Sequence, residues 1–407
     1  MPRAPAPYPT VRDDGAGVFS SSPVMSHGRI AVMLPHLRRY GGVEQFAWRL
    51  AEGLARRGHA VDFLCARQES DAPEGVTVRV LGRPGGLSLI KAAWFVLRAE
   101  AVRRERGYDL AISLGKNWNQ DMLRVGGGPL GNYHALSLAA WPPGPVRAAK
   151  AVSRLLSPAN LLTRIVEKRQ YSGNARIVAV SHLVRDWIVA AHPHLSPDDI
   201  PVVYNKPDLT RFHPASPKER GEARARLGLG EEDFAVGTAS TNFRLKGVGP
   251  LIRALALLPE NLRLFIAGGR GSAPYKALAE RCGVASRVSF LGKVEDMPAF
   301  YHALDAFSLP TFYDACANAT LEALASGLAV TSSPRNGASF FLPPENITAS
   351  PADPDELAAM LRSFMDRGKA AVSASFAPFT WPESVPAGLD AFMDLVEREL
   401  AAFLLRK

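Results

Sequence analysis

The sequence predicts an α/β protein of two domains, each built on a parallel sheet with helices on its faces. At 407 residues the chain is long enough for two cores of ordinary size. Short apolar runs alternate with amphipathic helical patterns in both halves, which is typical of βαβ units with parallel strands. A hydrophobic share of 47% and a charged share of 21% are those of a globular protein and argue against general disorder.

Charge and apolar pattern limit the partners. The formal net charge of +9 favours an anionic partner, such as a nucleoside diphosphate, an anionic lipid headgroup or a nucleic acid. The sequence contains no helix-turn-helix, zinc-finger or aromatic-basic motif, so we expect no nucleic-acid partner. No apolar run approaches the roughly twenty residues that span a bilayer.

The cysteines and the first residues indicate a cytoplasmic protein. Cys65, Cys282 and Cys316 are odd in number and widely spaced, which argues against a disulfide framework and a zinc site. Residues 1–27 are rich in Pro, Ser and Gly and lack the apolar core of a secretory signal, so we interpret them as a disordered leader. Met25 is an alternative start.

The first half begins with a βαβ pattern. Strands are predicted at 30–34 and 60–65, with an amphipathic helix between them that ends at Gly58. Gly41 and Gly42 lie at the carboxyl end of the first strand, where ligands bind in open α/β sheets. On spacing alone, an ordinary turn is the better explanation of the two glycines.

Further strands are predicted at 76–81, 110–114 and 177–181, with a helix at 91–105. The stretch 115–134 is polar and rich in glycine. Because it follows a strand end, we expect it to face the ligand cleft.

Segment 146–171 mixes basic and apolar residues, with Pro158 near its middle. Such a surface can lie on an anionic membrane. Two solvated helices packed on the sheet, divided by Pro158, account for the pattern as well.

The second half repeats the α/β series. Strands are predicted at 235–239, 262–267, 288–291 and 306–309, and an amphipathic helix at 390–405. The loop T-N-F-R-L-K-G-V after the first of these carries Arg244 and Lys246. Cations at that point can neutralise a diphosphate leaving group, although basic loop residues are usually solvated surface.

The stretch 311–327 reads as the end of a strand, a polar loop and a helix. Its N-terminus can hold phosphate oxygens, with Asn318 or Thr320 as the cap. Asp314 and Glu322 bracket the loop with seven residues between them and suit sugar or ribose hydroxyls, since ionised carboxylates only accept hydrogen bonds. Alternatively, Glu322 merely complements the helix dipole. Gly327 fits a C-terminal cap.

This stretch resembles the acidic-x7-acidic motif of retaining, nucleotide-sugar-dependent glycosyltransferases of the GT-B fold, in the group 1 family (family 4). The resemblance implies that Glu322 binds the ribose and Asp314 the donor sugar. Asp314 replaces the more usual Glu, as in the branch that resembles lipopolysaccharide core glucosyltransferase I.

Other segments extend the resemblance. G-G-V-E followed by R-G-H resembles the donor-side opening of the family, and F-R-L-K-G resembles its diphosphate-binding basic pair. The segment after strand 288–291 resembles the part that holds the nucleotide base through backbone groups. The resemblance implies these donor-binding residues: Gly41, Gly42, Arg244, Lys246, Lys293, Val294, Asn318, Ala319, Thr320, Leu321 and Glu322.

The acceptor side matches less well. Gln120, Asp121 and Arg124 before three glycines resemble a lipopolysaccharide-type pattern, which implies that Asp121 contacts donor or acceptor. The histidine expected after them is absent, because its position holds Leu130. The nearest candidate is His134.

The resemblance implies two facing Rossmann-like domains with the donor in the cleft between them. We predict a leader at 1–27, a first domain at 28–204, a second at 205–385 and a last helix, about 386–407, returning to the first domain.

The function implied is retaining transfer of a hexose, with a UDP-sugar favoured as donor, to a saccharide or glycolipid acceptor of lipopolysaccharide or another cell-surface glycan. No Asp-x-Asp triplet stands beside the proposed diphosphate site, so we expect no metal and no other cofactor. The enzyme is expected in the cytoplasm or at the inner face of the membrane.

Three other interpretations stay open. The chain could be a catalytically silent GT-B protein, given Leu130, or a non-enzymatic nucleic-acid binder, or a nucleotide-sugar epimerase. The sequence leaves the base, sugar, acceptor, linkage and oligomeric state undetermined.

Overall fold

The computed structural model describes residues 27–269, 271–368 and 379–406. The predicted leader lies outside these residues, apart from His27. Two parallel sheets, each covered by helices, confirm the predicted α/β architecture.

The first domain contains a main sheet of six parallel strands and a small sheet of two. Its strands are β1 (Arg29–Met33), β2 (His36–Leu37), β3 (Ala60–Cys65), β4 (Arg67–Gln68), β5 (Val76–Val80), β6 (Leu110–Ser113), β7 (Met122–Val125) and β8 (Arg176–Ala179). Its helices are α1 (Gly42–Arg56), α2 (Ser88–Arg106), α3 (Leu130–Leu138), α4 (Pro145–Leu156), α5 (Pro158–Ser172) and α6 (His182–Ala191). The main sheet has the order β5-β3-β1-β6-β7-β8, and β2 pairs with β4 beside it.

The second domain is built on five parallel strands. They are β9 (Phe234–Ala239), β10 (Leu262–Ala267), β11 (Val288–Gly292), β12 (Ala306–Leu309) and β13 (Ala329–Ser332), in the order β11-β10-β9-β12-β13. The helices that follow the first domain are α7 (Pro217–Arg226), α8 (Val248–Leu255), α9 (Ala273–Arg281), α10 (Met297–His302), α11 (Asn318–Ala325), α12 (Pro354–Arg367) and α13 (Gly388–Leu404). The boundary at 204/205 stays a prediction, with all strands of the first sheet before it and all strands of the second after it.

The last helix packs on the first domain, as predicted. Phe392 and Leu400 of α13 are buried in one core cluster with Leu50 and Leu54 of α1. At the edge of this contact, the Arg57 guanidinium donates to carboxylates of α13. Helix α13 thereby packs against α1 of the first domain.

Strand β7 was not predicted, because it lies within the stretch 115–134 that the sequence marks as a polar loop. All four of its residues are buried. Since β7 runs parallel to β6, the chain after β6 must first return to the amino edge of the sheet. The parts of this stretch at the carboxyl edge are the residues directly after β6, such as Gly115, and those after β7, such as Gly126 to Gly128.

Aromatic side chains join the carboxyl edges of the two sheets. The Tyr313 ring, just after β12, stacks on Trp187 with centroids 5.3 Å apart and meets Tyr133 edge-on at 5.1 Å. Nearby, the Ser181 hydroxyl donates to the Ala315 carbonyl at 2.7 Å. The two domains therefore face each other across the loops where parallel sheets bind ligands.

Candidate functional site

The loop between β12 and α11 is shaped by the side chain of Asn336. Its amide oxygen accepts the N–H groups of Ala317 and Ala338, both at 3.1 Å. Its amide nitrogen donates to the hydroxyls of Thr320 and Ser332, both at 3.0 Å. All four bonds of the amide are made inside the protein, where Asn336 is 2% exposed. They fix the loop to the start of α11 and to the end of β13.

Asp314 in this loop forms an ion pair with Lys246. The pairing follows from the backbone, because the Leu245 carbonyl accepts the N–H of Phe312 at 2.8 Å and the hydroxyl of Thr311 at 3.1 Å. These bonds attach the lysine loop to the aspartate loop. The other Asp314 oxygen accepts the Cys316 N–H at 3.2 Å. The predicted cation and the predicted sugar-binding acid thus lie side by side.

Helix α11 starts without a side-chain cap. The prediction that Asn318 or Thr320 caps it is wrong: the Thr320 hydroxyl accepts from Asn336, and the Asn318 amide oxygen accepts from Asn205 at 2.7 Å. Gly327 has φ +75° just past the helix, as a C-terminal cap requires. An uncapped N-terminus leaves backbone N–H groups and the positive end of the dipole for an anion.

Glu322 faces an inter-domain cavity of about 250 Å³, which Gly42, Asn318 and Leu321 also line. The Tyr301 hydroxyl donates to its carboxylate at 3.0 Å. Burial raises the pKa of Glu322 above its usual 4.5, and the bond from Tyr301 offsets part of this. Its position in this cleft therefore disfavours the ionised form of the Glu322 carboxyl.

The two glycines before α1 have different roles. Gly41 has φ +91°, and a Cβ there would lie 2.5 Å from a Glu44 oxygen, so it serves the turn. Gly42 lines the cavity, and a Cβ there would lie 4.0 Å from the Asn318 amide nitrogen. Gly42 thus brings the first domain close to the start of α11.

Asp121 does not lie with these residues, and its position contradicts the predicted sugar contact. It directly precedes β7, at the amino edge of the sheet, and its carboxylate accepts the Ala111 N–H at 2.7 Å. Because the chain returns to the amino edge before it enters β7, Asp121 lies on the side of the sheet opposite the cleft. Its carboxylate serves the strand pairing.

The remaining predicted residues lie outside the lining of the cavity that Glu322 faces. The guanidinium of Arg244 lies over the ring of Trp141 in the first domain, 4.0 Å from its centroid. Lys293 is exposed and pairs with Glu295, and Val294 packs partly against the core of the second domain. Ala319 accepts the Tyr301 hydroxyl through its carbonyl at 3.3 Å.

His134 and Leu130 both belong to α3. The Leu130 N–H donates to the Glu167 carboxylate at 3.1 Å, so this position anchors the helix. His134 lies beside Tyr133, and burial and neighbouring arginines lower its pKa. A role for His134 in the reaction stays a prediction.

Sequence reasoning missed three residues that hold the site. They are Tyr313 within the central motif, Trp187 on α6 and Asn336. For Asn336 the signal was weak, since Asn before Gly usually marks a turn.

Metal ligands do not cluster in the described residues. Within 27–269, 271–368 and 379–406, no group of three or more His, Cys, Asp or Glu side chains could hold a metal ion. The three cysteines are free.

Comparison with solved structures identifies the fold. The chain is similar to WaaG, a glycosyltransferase involved in lipopolysaccharide biosynthesis, with a TM-score of 0.73 over 86% of this chain and 94% of that one at 21% identity. It is also similar to HepE from Anabaena in complex with UDP and glucose, with a TM-score of 0.64 over 92% and 100% at 21% identity. The fold is the predicted GT-B fold.

Sequence relatives and family models give the family. A D-inositol 3-phosphate glycosyltransferase of Xylanimonas cellulosilytica is 27% identical over 89% of this chain and 93% of its own length. One from Mycobacterium sp. strain KMS is 31% identical over 73% and 71%. Lipopolysaccharide glucosyltransferase WaaG of Escherichia coli K12 is 31% identical over 36% and 41%. The models for glycosyltransferase family 4 and glycosyl transferases group 1 match residues 40–211 and 234–367. The chain belongs to this glycosyltransferase family and is an enzyme.

We predict that Glu322→Gln stabilises the protein at neutral pH. A carboxyl with a raised pKa in the folded state lowers stability as the pH rises from its unfolded pKa, near 4.5, through the raised value. Gln keeps an acceptor for Tyr301 without the charge. Thermal unfolding from pH 4 to 8 should show a higher Tm for the variant at pH 7, with the gap closing toward pH 4. Exposed Glu260→Gln is the control. Equal Tm curves for E322Q and wild type would contradict the assignment.

Proposed function

We propose that the enzyme transfers a hexose from a nucleoside diphosphate sugar, with UDP favoured, to a saccharide or glycolipid acceptor with retention of anomeric configuration. The observation that carries the proposal is the ion pair of Lys246 with Asp314 in the loop that leads into α11, together with Glu322 of that helix lining an inter-domain cavity. HepE, which has a similar fold, was solved with UDP and glucose, and this supports UDP as the first donor to test.

Each group would have a separate task. The uncapped N-terminus of α11 and Lys246 would bind the diphosphate and stabilise its charge as the bond to the sugar breaks. Glu322, when ionised, would accept hydrogen bonds from the ribose hydroxyls. Asp314 would hold Lys246 in place and accept from the donor sugar. This supply of positive charge supports a reaction without a metal ion.

Retention is proposed with attack on the face that the diphosphate leaves. The acceptor oxygen forms the new bond to the anomeric carbon, the bond from that carbon to the phosphate oxygen breaks, and the acceptor proton passes to the departing phosphate. In the described part of the loop, Asp314 already pairs with Lys246, which makes it a poor nucleophile for a covalent intermediate.

The relatives offer two acceptor classes. Those with the longest matches are named for D-inositol 3-phosphate, and WaaG is named for lipopolysaccharide. The basic and apolar surface of α4 favours a glycolipid, in lipopolysaccharide or another cell-surface glycan. Both acceptors belong in the first assay.

Lys246→Ala should remove most turnover without unfolding the protein. The loss of one positioned cation at a developing negative charge lowers kcat by about 100-fold or more. Initial rates of UDP-glucose transfer, and of hydrolysis without acceptor, should be measured in EDTA. Exposed Lys218→Ala on α7 is the matched control. Near-normal kcat and KM for K246A with an active wild type would refute the diphosphate role. A requirement for Mg²⁺ would refute metal independence.

We also propose that α4 contacts an anionic membrane at the inner face of the cell. All of its side chains are at least partly exposed, including Val152, Leu155 and Leu156, while Arg147 and Lys150 lie on the same helix. In contrast, α5 buries Val166, Gln170 and Tyr171 and fits the interpretation of a helix packed on the sheet. Among the described helices, none is long and apolar enough to cross a membrane.

Leu156→Glu should weaken binding to vesicles that contain phosphatidylglycerol, because a charge replaces apolar surface that enters the interface. Co-sedimentation should show the wild type bound to anionic vesicles, released by salt, and little bound to neutral phosphatidylcholine. Leu405→Glu, at an exposed leucine just after α13, is the control. If L156E and L405E bind like the wild type, α4 is not the contact.

A further inference from the structure

A buried arginine lies under the floor of the cleft without a carboxylate partner. Arg124 on β7 is 4% exposed. Its guanidinium lies 3.7 Å from the ring centroid of Phe46 and 5.8 Å from that of Phe392. Among the described residues no carboxylate forms an ion pair with it, and its Nε has no hydrogen-bond partner. Burial of a charge in this way is costly, and here it lowers the pKa of Arg124 to about 10.

The same guanidinium reaches the donor side of the cleft through two amides. Arg124 donates from a terminal nitrogen to the Asn205 amide oxygen at 2.8 Å. Asn205 in turn donates from its amide nitrogen to the Asn318 amide oxygen at 2.7 Å. Asn318 is the first residue of α11, and both Asn205 and Asn318 line the inter-domain cavity. The three side chains, called the amide relay below, join the first domain, the connecting segment and the second domain.

A purely structural role explains this arrangement poorly. A methionine or leucine between Phe46 and Phe392 would fill the space without the cost of a buried, partly unpaired cation. The relay instead aligns its dipoles so that each amide oxygen faces a donor, and its last amide nitrogen belongs to Asn318, which lines the cavity beside Gly42. A group that favours a nearby negative charge would make this placement worthwhile.

We infer that Arg124 is a positioning residue for the donor diphosphate: through Asn205 it holds Asn318 and the N-terminus of α11 in place, and it adds a buried positive charge under the anion. This rests on the proposed function, since it takes the ligand at α11 to be a nucleoside diphosphate. It assigns the first domain a part in diphosphate binding, beside Lys246 in the second. Domain orientation and donor affinity are thereby coupled.

The test is calorimetric titration of wild type, Arg124→Met, Arg124→Lys and Asn205→Ala. Each is titrated with whichever of UDP, GDP, ADP and CDP binds the wild type, and with the corresponding nucleoside. Arg124→Met should lower the affinity for the diphosphate about 10-fold, because it removes a positive charge near the anion. It should change the affinity for the nucleoside less than about 2-fold. Arg124→Lys, which keeps the charge, should recover part of the loss. Asn205→Ala should also weaken binding of the diphosphate more than binding of the nucleoside. The R124M/N205A double variant should lose less diphosphate-binding free energy than the sum of the two single losses.

The outcomes separate the inference from the proposed function. If no nucleotide binds the wild type, the proposed function fails and the inference fails with it. If the wild type binds but R124M and N205A keep the ratio of diphosphate to nucleoside affinity, Arg124 is structural and only the inference is overturned. If R124M does not fold, N205A decides, because Asn205 lies at the cavity rather than in the core.

Discussion

The site depends on one buried amide. Asn336 makes four hydrogen bonds at once, and together they hold the loop that carries Asp314, the first turn of α11 and the end of β13 in one arrangement. A fully satisfied buried amide is rigid, because any movement leaves a polar group unpaired. The next residue shares this constraint: a Cβ on Gly337 would lie 1.9 Å from the Ala315 carbonyl oxygen. No other residue fits beside the loop, and the loop in turn places Asp314 next to Lys246.

Polar groups in energetically unfavourable surroundings concentrate where the two domains meet. Glu322 has a raised pKa, Arg124 a lowered one, and α11 begins uncapped. Each feature costs the protein stability, and the proposed donor, with its ribose hydroxyls and diphosphate, would offset that cost. The core clusters on the faces of the two sheets, by contrast, are apolar. Stability thus comes from the sheets, and function from the loops at their carboxyl edges.

Most of the fold could be predicted, because alternating apolar runs and amphipathic helices are strong local signals. The strands at 60–65, 262–267 and 306–309 have the predicted bounds. Strand β7 could not be found in this way, since four residues between a polar loop and three glycines carry too little pattern. That omission moved Asp121 to the wrong edge of the sheet. Asn336 and Tyr313 act through contacts distant in sequence, and no local pattern specifies those.

The proposed activity requires that the cleft at Glu322 and α11 bind a nucleoside diphosphate sugar. The most direct measurement is thermal unfolding of the wild type with UDP, GDP, ADP and CDP and their glucose conjugates, in EDTA. We predict that one base alone, UDP first, raises the Tm, and that a ligand at about 100 times its Kd adds about 2.7 kcal/mol of stability. A protein whose Tm no nucleotide changes, with or without Mg²⁺, would contradict the account.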